Sequence, residues 1–120
     1  MMKKILTVIA LILAMAIPAM AQKVEPKFPG GDTAIMQFIA KNLRYPPICV
    51  ENGVEGRVKV EITVLPDSTI SATKIVAPID PDLEAEALRI IKLMPKWTPG
   101  TIDGKAAKLN TIVTFNFRLK

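Results

Sequence analysis

The stretch that decides the fold of this chain is its last one, Leu109-Asn110-Thr111-Ile112-Val113-Thr114-Phe115-Asn116-Phe117-Arg118-Leu119. It is rich in β-branched and aromatic residues, and neither glycine nor proline interrupts it. Because successive side chains of an extended chain point to opposite faces, the pattern predicts a strand over residues 109–119. The odd-numbered residues form the face predicted to be buried, and the even-numbered residues form a wetter face.

The pattern leaves open where this strand lies in its sheet. At an edge of the sheet, its unpaired N–H and C=O groups can accept another extended chain. In the interior of the sheet, the same alternation reflects core packing alone.

Two strands and a helix are predicted immediately upstream. Valine and isoleucine alternate with polar residues over 58–64, which indicates a half-buried strand. A second strand runs from Ile70 to Ala77, where Ile75-Val76 breaks the alternation and predicts a β-bulge. The helix starts at Asp80-Pro81, with Asp80 as the N-cap and proline at the first helical position. Pro95 ends it.

Another helix is predicted nearer the start of the chain. Asp32 follows a turn and is predicted to cap the start of this helix. The helix is predicted to end at Tyr45-Pro46-Pro47. Its apolar stripe consists of Ile35, Phe38, Ile39 and Leu43. The order α-β-β-α-β predicts an α+β domain in which two helices pack on one face of a three-stranded antiparallel sheet.

The first 21 residues have the three-part layout of a secretory signal peptide. A short basic start precedes an apolar run from Ile5 to Ile17, and the small-residue site Ala19-Met20-Ala21 follows. The run is shorter than the roughly 20 residues of a membrane-spanning helix, so we predict cleavage after Ala21. An uncleaved membrane anchor is the alternative. The predicted organisation is a signal peptide over residues 1–21, a short lead-in over 22–30 and one domain over 31–120.

The composition excludes several classes of function. The chain has no histidine and one cysteine, so Ser-His-Asp and Cys-His catalysis, histidine-ligated zinc and an internal disulfide are all excluded. We predict that this cysteine, Cys49, is buried. Loss of Lys3 and Lys4 with the signal peptide lowers the formal net charge from +5 to +3. The remaining basic residues form no run, so no nucleic-acid partner is predicted.

Two candidate sites have simpler explanations. The acidic residues Asp80, Asp82, Glu84 and Glu86 lack the spacing of a calcium loop, and they suit a helix start, where the helix dipole favours negative charge. Residues 100–105 loosely resemble a phosphate loop but are one residue too short, and no serine or threonine follows Lys105. We therefore predict no catalytic residues, no cofactor and no metal ion.

Several short motifs follow one another along the chain: Tyr45-Pro46, Gly53-x-x-Gly56-Arg57-Val58-x-Val60, Asp67, Met94-Pro95, Lys96-Trp97-x-Pro99-Gly100, Gly104-Lys105 and Phe115-x-Phe117. In this order and spacing they resemble the C-terminal domain of TonB energy transducers. The segment Phe28-Pro29-Gly30-Gly31 is similar to the version found in Bacteroidetes-type members. The resemblance covers about residues 26–120, and so the chain resembles a stand-alone, exported TonB-like protein.

The resemblance implies a periplasmic binding module. In that family, the last strand pairs with a short extended segment of an outer-membrane transporter, the TonB box. The mechanism is strand addition, in which backbone hydrogen bonds supply affinity and alternate side chains supply selectivity. The residues that the resemblance assigns to the partner-binding edge are Asn110, Thr111, Ile112, Val113, Thr114, Phe115 and Asn116.

This chain departs from the family's pattern in three respects. The family's transducers carry an uncleaved membrane helix and a long Pro-rich linker, whereas the predicted domain starts soon after Ala21. Ser68 and Cys49 stand where a turn glycine and a small alanine are usual. The first difference favours a module that binds without transmitting force. The alternatives are an inner-membrane transducer that faces the periplasm and is driven by motor proteins, and a structural or regulatory homodimer.

Overall fold

The described part of the chain folds into one long antiparallel sheet, a smaller sheet and three helices. A computed structural model describes residues 22–120, and the predicted signal peptide lies outside them. The elements follow the order β1 (Lys23–Val24), α1 (Gly31–Asn42), α2 (Pro47–Glu51), β2 (Gly56–Val64), β3 (Ile70–Ala77), α3 (Pro81–Leu93), β4 (Thr101–Ile102), β5 (Lys105–Ala106) and β6 (Leu109–Phe117).

The long sheet contains the three predicted strands in the spatial order β3-β2-β6. Both pairings are antiparallel, and β6 aligns with β2 without a register shift, from Leu109 opposite Val64 to Phe117 opposite Gly56. Its predicted alternation is confirmed: Val113, Phe115 and Phe117 are buried, and the even-numbered residues are exposed. The predicted α+β fold class is confirmed.

The helices cover the buried face of this sheet. Five residues of α3 are buried, and four of them are apolar and join the inward residues of β2 and β6 in one core: Leu83, Ala87, Ile90 and Ile91. The predicted stripe of α1 packs against the same core but is only half-buried, and no residue of α1 is fully buried. α3 therefore closes the core, while α1 lies at its margin.

The two long helices begin differently. Asp80 caps α3 as predicted, because its carboxylate accepts hydrogen bonds from the N–H groups of Asp82 and Leu83 at 2.9 and 3.2 Å. The prediction that Asp32 caps α1 is wrong. That helix begins at Gly31 after Gly30, which has a φ of 87° and adopts the left-handed conformation that glycine tolerates. Asp32 lies inside the first turn, where its charge still complements the helix dipole.

A buried charge network joins the end of α1 to the middle of α3. The Glu86 carboxylate accepts hydrogen bonds from Arg89 Nε and Nη2 at 2.6 and 2.7 Å and from the N–H of Arg44 at 2.6 Å. Arg89 Nη2 also donates to the carbonyl of Asn42 at 2.7 Å. Because Asn42 is the last residue of α1, these bonds set where the marginal helix sits relative to α3.

The strand β3 contains the irregularity that its sequence predicts. The register with β2 shifts so that Val76 has no partner, and it shifts again at Ser71. The turn before β3 places Ser68 at a φ of 77°. Side chains other than glycine seldom adopt this conformation, which agrees with the turn glycine that the resemblance implies at this position.

The smaller sheet holds the lead-in against the domain. β1 pairs with β4, and β4 pairs with β5 around a turn at Asp103-Gly104. Phe28 is buried, with its ring centroid 5.7 Å from that of Trp97 in an edge-to-face arrangement. These two-residue strands were not predicted, because strands so short carry no readable alternation.

Candidate functional site at the edge of the last strand

The strand β6 lies at one edge of the long sheet, with β2 on its inner side. Within residues 22–120, no strand pairs with its outer side. Of the seven predicted partner-binding residues, the even-numbered ones are exposed: Asn110, Ile112, Thr114 and Asn116. Thr111 is half-buried, and Val113 and Phe115 are buried in the core, so the latter two can offer a partner little side-chain surface.

The direction in which the N–H and C=O groups of β6 point can be derived from the hydrogen bonds of the adjacent strand, β2. Successive strand residues direct their N–H and C=O groups to opposite sides. At the β2–β3 turn, the N–H of Leu65 donates to the carbonyl of Thr69 at 2.8 Å, so odd-numbered residues of β2 face β3. Even-numbered residues of β2 then face β6, where Val60 is opposite Val113. The N–H and C=O groups of the even-numbered β6 residues therefore point outward.

Two side-chain contacts agree with this assignment. Thr63 Oγ1 donates to Asn110 Oδ1 at 2.8 Å, and these two residues are directly opposite each other. Such close side chains are typical of the pairs that exchange no backbone hydrogen bonds. At the end of the strand, the N–H of Leu119, an odd-numbered residue, donates to the Glu55 carboxylate at 2.7 Å on the β2 side. We call the outward-facing backbone of residues 110–116 the open edge.

A groove of about 430 Å³ runs beside the open edge, and we call it the β6 groove. Residues 111–114 form one wall, and Ile35, Met36 and Ile39 of α1 form the facing wall. The lead-in residues 25–28 contribute to the lining. Met36 is 70% exposed and Ile112 is 53% exposed. A chain laid along the open edge would thus meet apolar side chains as well as backbone groups.

The charges along the β6 groove are few and mixed. Glu25 and Asp32 contribute carboxylates, and Lys27 contributes an ammonium group. No histidine is present in the chain, and Cys49 does not line the groove. Its chemistry therefore consists of backbone hydrogen bonds and apolar contacts, which suit binding of an extended peptide.

Among residues 22–120, a group of side chains that could bind a metal ion serves instead as a helix cap. Side-chain atoms of Cys49, Asp80 and Asp82 lie within 4.8 Å of one another. Asp80 Oδ1 already accepts hydrogen bonds from the first turn of α3 and a longer one, 3.5 Å, from the Cys49 thiol. Cys49 is buried as predicted, with 1% of its surface exposed. Burial raises the pKa of its thiol, and the hydrogen bond to the Asp80 carboxylate raises it further. These contacts account for the cluster without a metal ion.

Comparison with known proteins identifies the family. Residues 41–119 match the sequence profile of the family described as Gram-negative bacterial TonB protein C-terminal. The chain belongs to this family. The resemblance seen in the short motifs is thereby confirmed, and membership implies a TonB-like role in transport. A search of curated proteins found no match to this TonB-family chain.

Two solved structures of the Helicobacter pylori TonB C-terminal domain are similar to the chain. The structure of residues 179–285 of that protein is 26% identical with a TM-score of 0.56, and the match covers 72% of this chain and 78% of that one. The structure of residues 194–285 is 25% identical with a TM-score of 0.51, and the match covers 73% and 95%. Both are NMR solution structures, and they share the fold described above.

Membership in the TonB family indicates the general role, the compartment and the class of partner that are typical of such domains. TonB C-terminal domains are binding and transduction modules, they generally act in the periplasm, and they interact with outer-membrane transporters. Within residues 22–120, no helix is both long and apolar enough to cross a membrane.

The sequence did not reveal the helical wall of the β6 groove. The helical spacing of Ile35 and Ile39 predicts that they pack on the core, and the structure shows that they also line the groove. Met36 lies outside the predicted apolar stripe. Its apolar side chain on the polar side of the helix is the one feature of the sequence that indicates a second apolar surface there. How much of the apolar stripe of α1 remains exposed depends on how closely this helix packs against the sheet, and helical spacing does not report that distance.

Proposed function

We propose that this protein is a periplasmic TonB-like binding module that docks the TonB box of outer-membrane transporters by strand addition. The docking segment is the open edge, formed by Asn110, Thr111, Ile112, Val113, Thr114, Phe115 and Asn116. The single observation that supports this most directly is the position of β6 at the edge of the sheet, beside a groove. Unpaired strand edges are ready templates for a further strand.

The two faces of a docked strand would meet different surroundings. Side chains on the helix side would contact Ile35, Met36 and Ile39, while those on the opposite side would lie near the exposed Ile112. Because strand side chains alternate, every second residue of the partner faces the apolar wall. We expect apolar residues at those positions to be preferred.

A titration followed by amide NMR tests this docking. A peptide spanning the TonB box of a transporter from the same organism should shift the amides of residues 109–117 at millimolar concentration or below. The variant Met36→Ser should weaken binding about three- to tenfold, because it removes an exposed apolar contact from the groove wall. The matched control is Ile48→Ser, at a residue that is 53% exposed and lies outside the β6 groove.

Three outcomes of that titration would contradict the proposal. The first is no shift in residues 109–117 at millimolar peptide, and the second is equal loss of affinity in the two serine variants. The third is amide shifts in residues 109–117 that change with protein concentration and not with added peptide. Such shifts would favour a homodimer that pairs through the same edge.

We further propose that residues 1–21 are a signal peptide removed on export, followed by the lead-in over 22–30 and the domain over 31–120. An intact mass of the exported protein that corresponds to residues 22–120 is the expected result. A mass that retains residues 1–21 would favour the alternative, a transducer anchored in the inner membrane and coupled to motor proteins there.

A further inference from the structure

The opposite edge of the long sheet has a groove of its own. β3 is the second edge strand, and within residues 22–120 no strand pairs with its outer side. A groove of about 420 Å³, which we call the β3 groove, lies between residues 68–73 and the C-terminal end of α3. This volume falls within the range of about 300–1,000 Å³ that ligand sites usually occupy.

The β3 groove combines apolar contacts with positive charge. Buried Ile91 and half-buried Ile70 and Met94 supply the apolar part. Lys92 and Lys96 are exposed and contribute two ammonium groups, and no lining residue carries a carboxylate. In the described part of the chain, neither lysine has a carboxylate oxygen within 4 Å. The groove therefore carries positive charge without a close counter-charge.

Asp67 lies outside the β3 groove, and its carboxylate interacts electrostatically with Lys96. Its carboxylate accepts hydrogen bonds from the N–H and hydroxyl of Thr69 at 3.0 and 2.6 Å. These bonds are the main cause of its lowered pKa, and Lys96 adds a smaller effect. Asp67 is thus held in its own turn, and it does not line the groove.

The backbone of β3 has a short regular stretch at this groove. Between its two register shifts, residues 72–75 pair continuously with residues 60–63 of β2. Because odd-numbered β2 residues face β3, Ala72 and Lys74 bond to β2, and the N–H and C=O of Thr73 point outward. Thr73 is exposed and lines the groove. An unpaired donor and acceptor therefore stand beside the two lysines.

We propose that the β3 groove is a second docking edge, which accepts an extended peptide segment bearing acidic side chains. The segment pairs its backbone with Thr73 and turns the side chains of one face toward α3, where its carboxylates meet Lys92 and Lys96 and the aliphatic parts of the same side chains lie over Ile70 and Met94. Charge complementarity selects this occupant, because an acidic strand supplies the counter-charges that the groove lacks. The β6 groove has mixed charges, so the two edges select different peptides and can be occupied together.

Binding of a designed probe tests this second edge independently of the first. The probe is a blocked hexapeptide of alternating glutamate and valine, and the control probe has lysine in place of each glutamate. The glutamate probe at millimolar concentration should shift the amides of residues 70–75 and 92–96. Lys92→Glu combined with Lys96→Glu should weaken binding at least tenfold, whereas two exposed lysines outside the groove, Lys41→Glu with Lys105→Glu, should change affinity less than threefold.

Each remaining result would overturn the proposal. These are the absence of shifts at millimolar probe, equal shifts with the lysine probe, and equal weakening in the two double variants. Shifts confined to residues 109–117 would also overturn it, because they would assign the acidic segment to the first edge. Since neither double variant alters the core, folding of each can be confirmed from its amide spectrum before titration.

Discussion

Glu86→Ala is expected to lower the free energy of unfolding by about 2–3 kcal/mol, which corresponds to roughly 10–20 °C in Tm for a domain of this size. Glu86 is 8% exposed and accepts three hydrogen bonds, two from Arg89 within α3 and one from the N–H of Arg44, just after α1. Its removal leaves the Arg44 N–H without its acceptor and leaves the Arg89 guanidinium with the Asn42 carbonyl alone. The side chain of Arg89 is 36% exposed and can turn to water, so the expected loss stays below that of a fully buried ion pair.

Thermal and denaturant unfolding measure this loss, and Glu51→Ala is the matched control. Glu51 is exposed at the end of α2, so its removal should change stability by less than about 0.5 kcal/mol. Equal effects of the two substitutions would show that the Glu86 network does not hold the helices together. Loss of peptide binding in Glu86→Ala without loss of stability would show that α1 moves while the fold remains.

The same network predicts a dependence on pH. Burial acts to raise the pKa of Glu86, but hydrogen bonds from Arg89 and from the Arg44 N–H outweigh it and hold the pKa below its ordinary value of 4.5. A carboxyl with a lowered folded-state pKa stabilises the fold above its unfolded pKa. The stability difference between the native protein and Glu86→Gln should therefore be constant near neutral pH. It should shrink as the pH falls below about 4.5.

Thr114→Pro should strongly weaken peptide binding at the open edge while the domain remains folded. The alternation derived from Leu65 and Val113 directs the N–H of Thr114 outward, so proline removes a donor that a docked strand would use. Proline is tolerated on an edge strand when its nitrogen faces away from the sheet. We expect at least a tenfold loss of affinity in the NMR titration.

Two further variants make this result specific. Val113→Pro removes a donor that faces β2, so it should unfold the domain, because proline inside a strand pairing deletes a ladder hydrogen bond. Thr114→Val keeps the backbone donor and should bind with native affinity. If Thr114→Pro unfolds the domain, the assignment of outward-facing groups is wrong. If it folds and binds normally, the docked segment does not pair with this edge.

Most of the architecture follows from local pattern. The strand β3 has its predicted bounds, α3 begins at its predicted cap, and the break at Ile75-Val76 is a register shift. These features depend on alternation, capping and proline, which act within a few residues of one another. The start of α1 differed, because two glycines with positive φ turn the chain so that the helix begins two residues earlier than an Asp32 cap requires.

The sequence by itself determined which side chains of residues 109–117 enter the core, because the period-two alternation of a strand is a local property. Only the tertiary structure decided that this strand lies at the edge of the sheet and that α1 stands beside it with its apolar stripe half open. Alternation specifies the face of a strand and says nothing about its lateral neighbours. Those neighbours are set by the long-range pairing of β2 with both β3 and β6, and that pairing leaves an open edge on each side of the sheet.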